Sequence, residues 1–132
     1  MSTVLVRRAV SASLVALLLA AATASVGAHH SFSAFNMREE KTITGKVKTV
    51  EWTNPHIWIW VDVPNASGGT DTYGFEGMSP NFLERRGWKR TTLEAGDTVT
   101  ITFRPLVDGK NGGMFTTGTM EDGTVLTMGG SR

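Results

Sequence analysis

The three histidines are the side chains of this chain best suited to chemistry. His29 and His30 are adjacent, and His56 directly follows a proline. If a signal peptide is removed after Ala28, the free α-amine and the imidazole Nδ1 of His29 can close a six-membered chelate ring around one metal ion. Nitrogen donors of this kind suit Cu(II), with Ni(II) and Zn(II) behind it. A third imidazole from His56 or His30 would complete the set, so these residues predict a copper site. The alternative is a solvated N-terminal arm without function and, for His56, a strand-edge side chain bonded to backbone.

Three tryptophans suggest a second kind of site. Trp58 and Trp60 lie two residues apart, and Trp52 precedes them. Aromatic rings on the exposed face of a barrel can stack on sugars or bases. The alternative is that Trp58 and Trp60 only cover the barrel against a short helix. The sequence therefore predicts a ligand-binding face at Trp58, Trp60 and Trp52 as the second hypothesis.

Other chemistry finds little support. The chain contains no cysteine, which excludes thiolate metal sites and thiol redox relays. The methionines are scattered along the chain, and no nucleophile elbow, phosphate-binding glycine loop or zinc-protease helix is present. We therefore expect no enzyme of a familiar class.

The first 28 residues have the order of a secretory signal peptide. Arg7 and Arg8 form a positive segment, the apolar run 9–22 follows, and small residues come next. Cleavage after Ala28 or after Ala24 fits the small-residue rule, and we expect the protein in the periplasm or secreted. Because the run is shorter than the ~20 residues that span a bilayer, we expect no transmembrane segment after processing.

The charge balance of the processed chain argues against an anionic partner. The formal net charge of +1 includes Arg7 and Arg8, and without them 11 basic residues stand against 12 acidic ones, a formal charge of −1. A mixed, near-neutral surface gives no reason to expect nucleic acid or anionic lipid. The partner expected is a metal ion or a small-molecule ligand.

The rest of the chain has the pattern of short strands. Residues 56–63 alternate most clearly, with Ile57, Ile59, Val61 and Val63 on one face and His56, Trp58, Trp60 and Asp62 on the other. Further strands are predicted at 42–52, bent or bulged at its glycine, and at 71–76, 98–103, 114–120 and 125–128. A helix of about two turns is predicted between the third and fourth strands, with Ser79 as N-cap, Pro80 as its first residue and Gly87 after its end.

This order predicts a mainly β fold, a small OB-like antiparallel β-barrel of five to six strands with one short helix. A small β-sandwich is the alternative, since strand spacing alone does not separate the two. The predicted organisation is a signal peptide at 1–28, an N-terminal arm at 29–41, the barrel at 42–128 and a flexible tail at 129–132.

Several motifs in this order resemble a known family. They are 28–32 (AHHSF), 50–56 (VEWTNPH), 79–81 (SPN) and 85–88 (RRGW). The chain is similar in these to a group of uncharacterised exported bacterial proteins, domain of unknown function 6152, from His29 to about Leu126. The resemblance favours cleavage after Ala28, and Tyr73 stands where a tryptophan is more usual. It implies fold and export but no activity.

The resulting functional expectation has three alternatives. The first is an exported barrel that binds copper through His29 and His56, with His30 as a helper. The second is a metal-free module that binds a small molecule, a glycan or a partner protein on the aromatic strand face. The third is a structural envelope protein without a ligand.

Overall fold

The computed structural model describes residues 30–128 and 130–131. The described residues belong to two units, which divide between Ser33 and Ala34. In the first unit only the short helix α1 (His30–Ser33) is described. The predicted signal peptide, its cleavage site and His29 lie outside the described residues.

The described residues of the second unit form seven strands and one short helix. The strands are β1 (Lys41–Glu51), β2 (Trp58–Pro64), β3 (Thr70–Glu76), β4 (Thr98–Pro105), β5 (Gly112–Met120), β6 (Val125–Thr127) and β7 (Gly130–Ser131), and α2 (Pro80–Glu84) lies between β3 and β4. No helix within 30–128 or 130–131 is long and apolar enough to cross a membrane.

The pairing of the strands closes β1–β5 into a barrel. The long strand β1 pairs antiparallel with β4 along its first half and with β2 along its second half. β2 also pairs with β3, and β4 also pairs with β5. A parallel pairing of β3 with β5 completes the ring. This ring, with a helix between the third and fourth strands, confirms the predicted OB-like barrel and decides against the sandwich. β6 extends the sheet, and β7 pairs with it inside the stretch predicted as a tail.

Alternating burial explains why these residues form the barrel. Every second residue of β4 is buried, and Val99, Ile101 and Phe103 are at most 2% exposed. Apolar side chains at a period of two cover one face of a strand, and closing the sheet removes that face from water. The core they form also contains Val47, Trp52, Ile57, Ile59, Val61, Phe75, Leu83, Trp88, Leu93, Phe115 and Leu126.

Gly45 does not mark the bulge that the sequence predicts. It pairs regularly with Val99, and the irregularity in β1 lies further on, between Val47 and Thr49. A Cβ at position 45 would overlap the carbonyl oxygen of Asp62 on β2. The glycine is needed for this close approach of two strands, and that requirement explains why the bulge prediction was wrong.

The helix begins where the sequence predicts but is shorter. Ser79 caps α2, its Oγ accepting from the Phe82 N–H at 3.4 Å, and Pro80 is the first helical residue. The helix ends at Glu84 with Arg85 as C-cap, and Gly87 adopts a φ of +91°. The turn that Gly87 permits then returns the chain to the barrel.

Candidate ligand-binding face

The outward face of β2 carries two tryptophans side by side. Ile57 and Ile59 are completely buried inside the barrel, whereas Trp58 and Trp60 point outward and are partly exposed. The rings of Trp58 and Trp60 are stacked, with centroids 5.7 Å apart and planes inclined by 18°. The alternation predicted for this strand is therefore confirmed.

Neighbouring strands hold the ring of Trp60 in place. Its Nε1 donates to Oε1 of Glu51 on β1 at 2.9 Å. On the other side it is paired with Gly74 of β3, where a Cβ would lie 2.5 Å from the indole ring. Any larger residue at position 74 would displace the ring, so the glycine lets Trp60 lie against the sheet.

Two carboxylates flank Trp58. In the strand register, Glu51 of β1 and Glu76 of β3 are the direct neighbours of Trp58. Directly opposite residues share a face of a sheet, so these three side chains form one row on the outside of the barrel. We call the surface formed by Trp58, Trp60, Glu51 and Glu76 the aromatic face.

His56 borders the aromatic face and contacts one of its carboxylates. His56 Nδ1 lies against Oε1 of Glu76, with 36% and 19% of the two side chains exposed. The next residue, Ile57, accepts from the Gly77 N–H at 2.9 Å and donates to the Met78 carbonyl at 3.1 Å. These two backbone bonds fix the segments that carry His56 and Glu76, so the pair is held by the fold rather than by chance contact of long side chains.

The polar side chains at the opposite end of the β2 face contact one another. Thr72 donates to Asp62 at 2.6 Å, and Lys48 lies 3.7 Å from the same carboxylate. These polar groups bond to one another, and the tryptophans lie at the other end of the face.

The structure places one of the three predicted tryptophans in the core. Trp52 is 7% exposed and belongs to the core. The reason is the period of the strand: Glu51, the last residue of β1, points outward, and the next residue therefore turns inward. Trp58 and Trp60 are brought together, and Trp52 is not on the face with them.

The predicted metal ligands are only partly described. His56 lies beside the aromatic face, the backbone of His30 begins α1, and His29 lies outside the described residues. Within the part of the chain that the structure describes, no three His, Cys, Asp or Glu side chains are grouped so that they could hold a metal ion.

Glu51 and Glu76 are site residues that the sequence did not indicate. Glu76 had no histidine near it in sequence, yet the structure places His56, 20 residues earlier, in contact with it. The signals that would have found them are the pairing of Trp58 with Glu51 across β1–β2 and with Glu76 across β2–β3. Both signals require the register in which the strands pair, and knowing that the strands exist is not enough.

Fold and surface together define a small OB-type barrel with an aromatic and acidic patch on the outside of strands β1–β3. The chain belongs to the family of unknown function DUF6152, whose family model matches residues 15–116. The matched range includes the whole aromatic face and His56. No curated protein and no solved structure matches the chain.

Proposed function

We propose that this protein is a binding module whose ligand lies on the aromatic face. The observation that carries the proposal is the stacked pair of Trp58 and Trp60, which the fold keeps on the outside of the barrel. Strands 2 and 3 of OB-type barrels commonly form the binding surface of the fold. The aromatic face lies on these two strands and on the adjoining end of β1.

The physical advantage of this face is that it is already ordered. Glu51 and Gly74 fix the ring of Trp60, and Trp60 in turn stacks on Trp58. A ligand that covers the rings buries apolar area without first having to order them, which lowers the entropic cost of binding. Aromatic rings also supply a large contact area with few rotatable bonds.

The test is a fragment screen by ¹H–¹⁵N NMR, read at the indole N–H signals of Trp58 and Trp60. Three sets of probes are used: neutral sugars, primary amines and aromatic acids. We expect at least one set to shift these signals and expect Trp58→Ala and Trp60→Ala to abolish the effect. Val107→Ala, which removes a side chain that is 63% exposed and lies outside the face, is the control. If no probe shifts either indole signal, the proposal is wrong.

We propose copper binding as a second candidate, supported by the contact of His56 with Glu76. Histidines that bind metals commonly donate their other ring N–H to a carboxylate, which fixes the tautomer and the ring orientation. With Nδ1 on Glu76, Nε2 of His56 is the nitrogen left for a metal ion. The sequence predicts His29, which lies outside the described residues, as the next ligand, with His30 as its helper.

The copper candidate requires export and cleavage after Ala28, so the intact mass of the exported protein is measured first. The processed protein is then titrated with Cu(II). We expect one equivalent to bind, His56→Ala to weaken binding strongly, and Glu76→Gln to weaken it about 10- to 100-fold through loss of the orienting carboxylate. Binding that survives one extra residue before His29 would exclude the amine as a ligand, and binding that survives His56→Ala would exclude the imidazole.

A further inference from the structure

We infer that the ligand of the aromatic face is a saccharide chain without net negative charge. This inference rests on the proposed function and names the class of its ligand. One sugar ring lies against the partly exposed rings of Trp58 and Trp60, and hydroxyl groups of the same chain donate to Glu51 and Glu76.

The charge of the face selects this class among the ligands that the fold favours. The β2–β3 surface of OB-type barrels binds oligonucleotides or oligosaccharides. Proteins that bind nucleic acid neutralise phosphates with lysine and arginine. Here the row that crosses the face consists of Glu51, Trp58 and Glu76, with no basic residue among them. The two carboxylates would repel a phosphate backbone, whereas a neutral saccharide is not repelled.

The hydrogen-bonding groups of the face also suit hydroxyl donors. An ionised carboxylate only accepts, and its two oxygens offer about four positions. Glu51 uses one oxygen for the indole N–H of Trp60, and Glu76 uses one for His56. Each therefore keeps a second oxygen for a ligand. Because the indole N–H of Trp60 is already bonded, that ring is left to offer apolar surface rather than a donor.

The spacing of the carboxylates favours a saccharide over a small cation. Glu51 and Glu76 lie on the two strands that flank β2, and neighbouring strands are about 4.8 Å apart, so the two backbone positions are separated by roughly 10 Å. Glu51 is also bonded to Trp60 and Glu76 to His56, which lie on opposite sides of Trp58 along the chain, so a single ammonium group is poorly placed to contact both carboxylates. A sugar ring carries hydroxyls around its rim and can reach both sides while its flat face lies on the indole.

The small size of the apolar surface favours a small flat ligand over a protein partner. Trp58 and Trp60 are only partly exposed, and the large hydrophobic side chains most exposed within the described residues are Phe32, Met37, Met78 and Val107. None of these four lies on β2 or β3. A stable protein interface covers about 800 Å² on each partner and has an apolar centre.

The experiment titrates the full chain with defined probes and follows binding by calorimetry and by the indole N–H signals of Trp58 and Trp60. The neutral probes are cellotetraose and chitotetraose, the anionic probes are tetragalacturonate and the oligonucleotide dT4, and the cationic probe is butylammonium. We expect a neutral tetrasaccharide to bind and to shift both signals. Trp58→Ala and Trp60→Ala should each weaken its binding about tenfold or more, in line with aromatic stacking on other planar ligands.

Isosteric variants keep the test valid where an alanine variant does not fold. Glu51→Gln and Glu76→Gln retain size but lose charge, and each should weaken binding of the neutral probe severalfold, whereas Val107→Ala should leave it unchanged. Tighter binding of an anionic probe, or binding of butylammonium alone at the tryptophans, would overturn the saccharide inference and leave the binding face intact. A response of neither tryptophan to any probe would overturn both.

Discussion

The closure of the barrel depends on a glycine whose replacement should have a large and specific cost. Gly112 lies where β5 begins to run parallel to β3, paired with Gly74, and its φ is +136°. A Cβ at position 112 would overlap the carbonyl oxygen of Gly74 and lie 3.0 Å from its carbonyl carbon. We therefore expect Gly112→Ala to separate β3 from β5.

The expected loss in the free energy of unfolding has two contributions, the strained backbone conformation and the steric overlap. A left-handed backbone conformation costs an L-residue about 1–2 kcal/mol. The overlap adds to this, because the contacted atoms belong to the backbone of Gly74 and no side-chain rotation can relieve it. Moving the strands apart weakens inter-strand hydrogen bonds, each worth about 1 kcal/mol. We expect a total loss of about 3–5 kcal/mol out of a free energy of unfolding of about 5–15 kcal/mol.

The assay is guanidinium unfolding followed by tryptophan fluorescence, with Gly68→Ala as the matched control. Gly68 also has a positive φ, +82°, but a Cβ there would meet nothing within 4 Å. The control should lose only the conformational part, about 1–2 kcal/mol. Equal losses in the two variants would show that the β3–β5 contact is not tight and would refute the reasoning about closure.

Three further predictions concern single residues. Ser79→Ala should lower the free energy of unfolding by about 1 kcal/mol, because the first turn of α2 loses its cap, and urea unfolding measures this. Leu83→Ala should cost about 2–5 kcal/mol in the same assay because the side chain is completely buried, whereas the exposed Asn81 should tolerate alanine with almost no loss. The pKa of Asp122 should lie below its usual 3.8 in an NMR titration, because its carboxylate accepts the Thr124 N–H. Since the folded-state pKa is the lower one, this bond stabilises the fold above about pH 3.8 and its contribution is lost as pH falls through the lowered pKa; an unshifted titration would contradict the bond.

The fold could be predicted largely because its signals are local. A period of two along residues 56–63 requires only neighbouring residues, and it placed Ile57 and Ile59 inside and the two tryptophans outside. The start of α2 was equally local, since a serine cap and a proline act within one turn. The order of strands and helix was then compatible with two folds, the OB-like barrel and a small β-sandwich.

The composition of the site could not be predicted in the same way because it depends on register. Glu51 and Glu76 lie 25 positions apart in sequence and meet on either side of Trp58 only after β1, β2 and β3 have paired with a specific alignment. A shift by one residue would turn each of these side chains to the opposite face. Trp52 also could not be placed from the sequence alone. Its neighbour Glu51 points outward, and because side chains alternate along the strand, Trp52 points into the core.

His56 is the residue at which the two candidate functions make different predictions, whereas Glu76 takes part in both. The carboxylate of Glu76 contacts His56 on one side and neighbours Trp58 on the other, so Glu76→Gln should weaken both Cu(II) binding and saccharide binding. His56→Ala should strongly weaken Cu(II) binding but leave the stacked tryptophans and both carboxylates in place. Saccharide affinity should therefore change by less than about threefold, which is below about 0.7 kcal/mol. A large loss of saccharide affinity in His56→Ala, with Glu76→Gln unaffected, would mean that the imidazole itself contacts the ligand. Glu51 alone would then accept hydrogen bonds from the hydroxyl groups of the saccharide, and the binding surface would include His56 in place of Glu76.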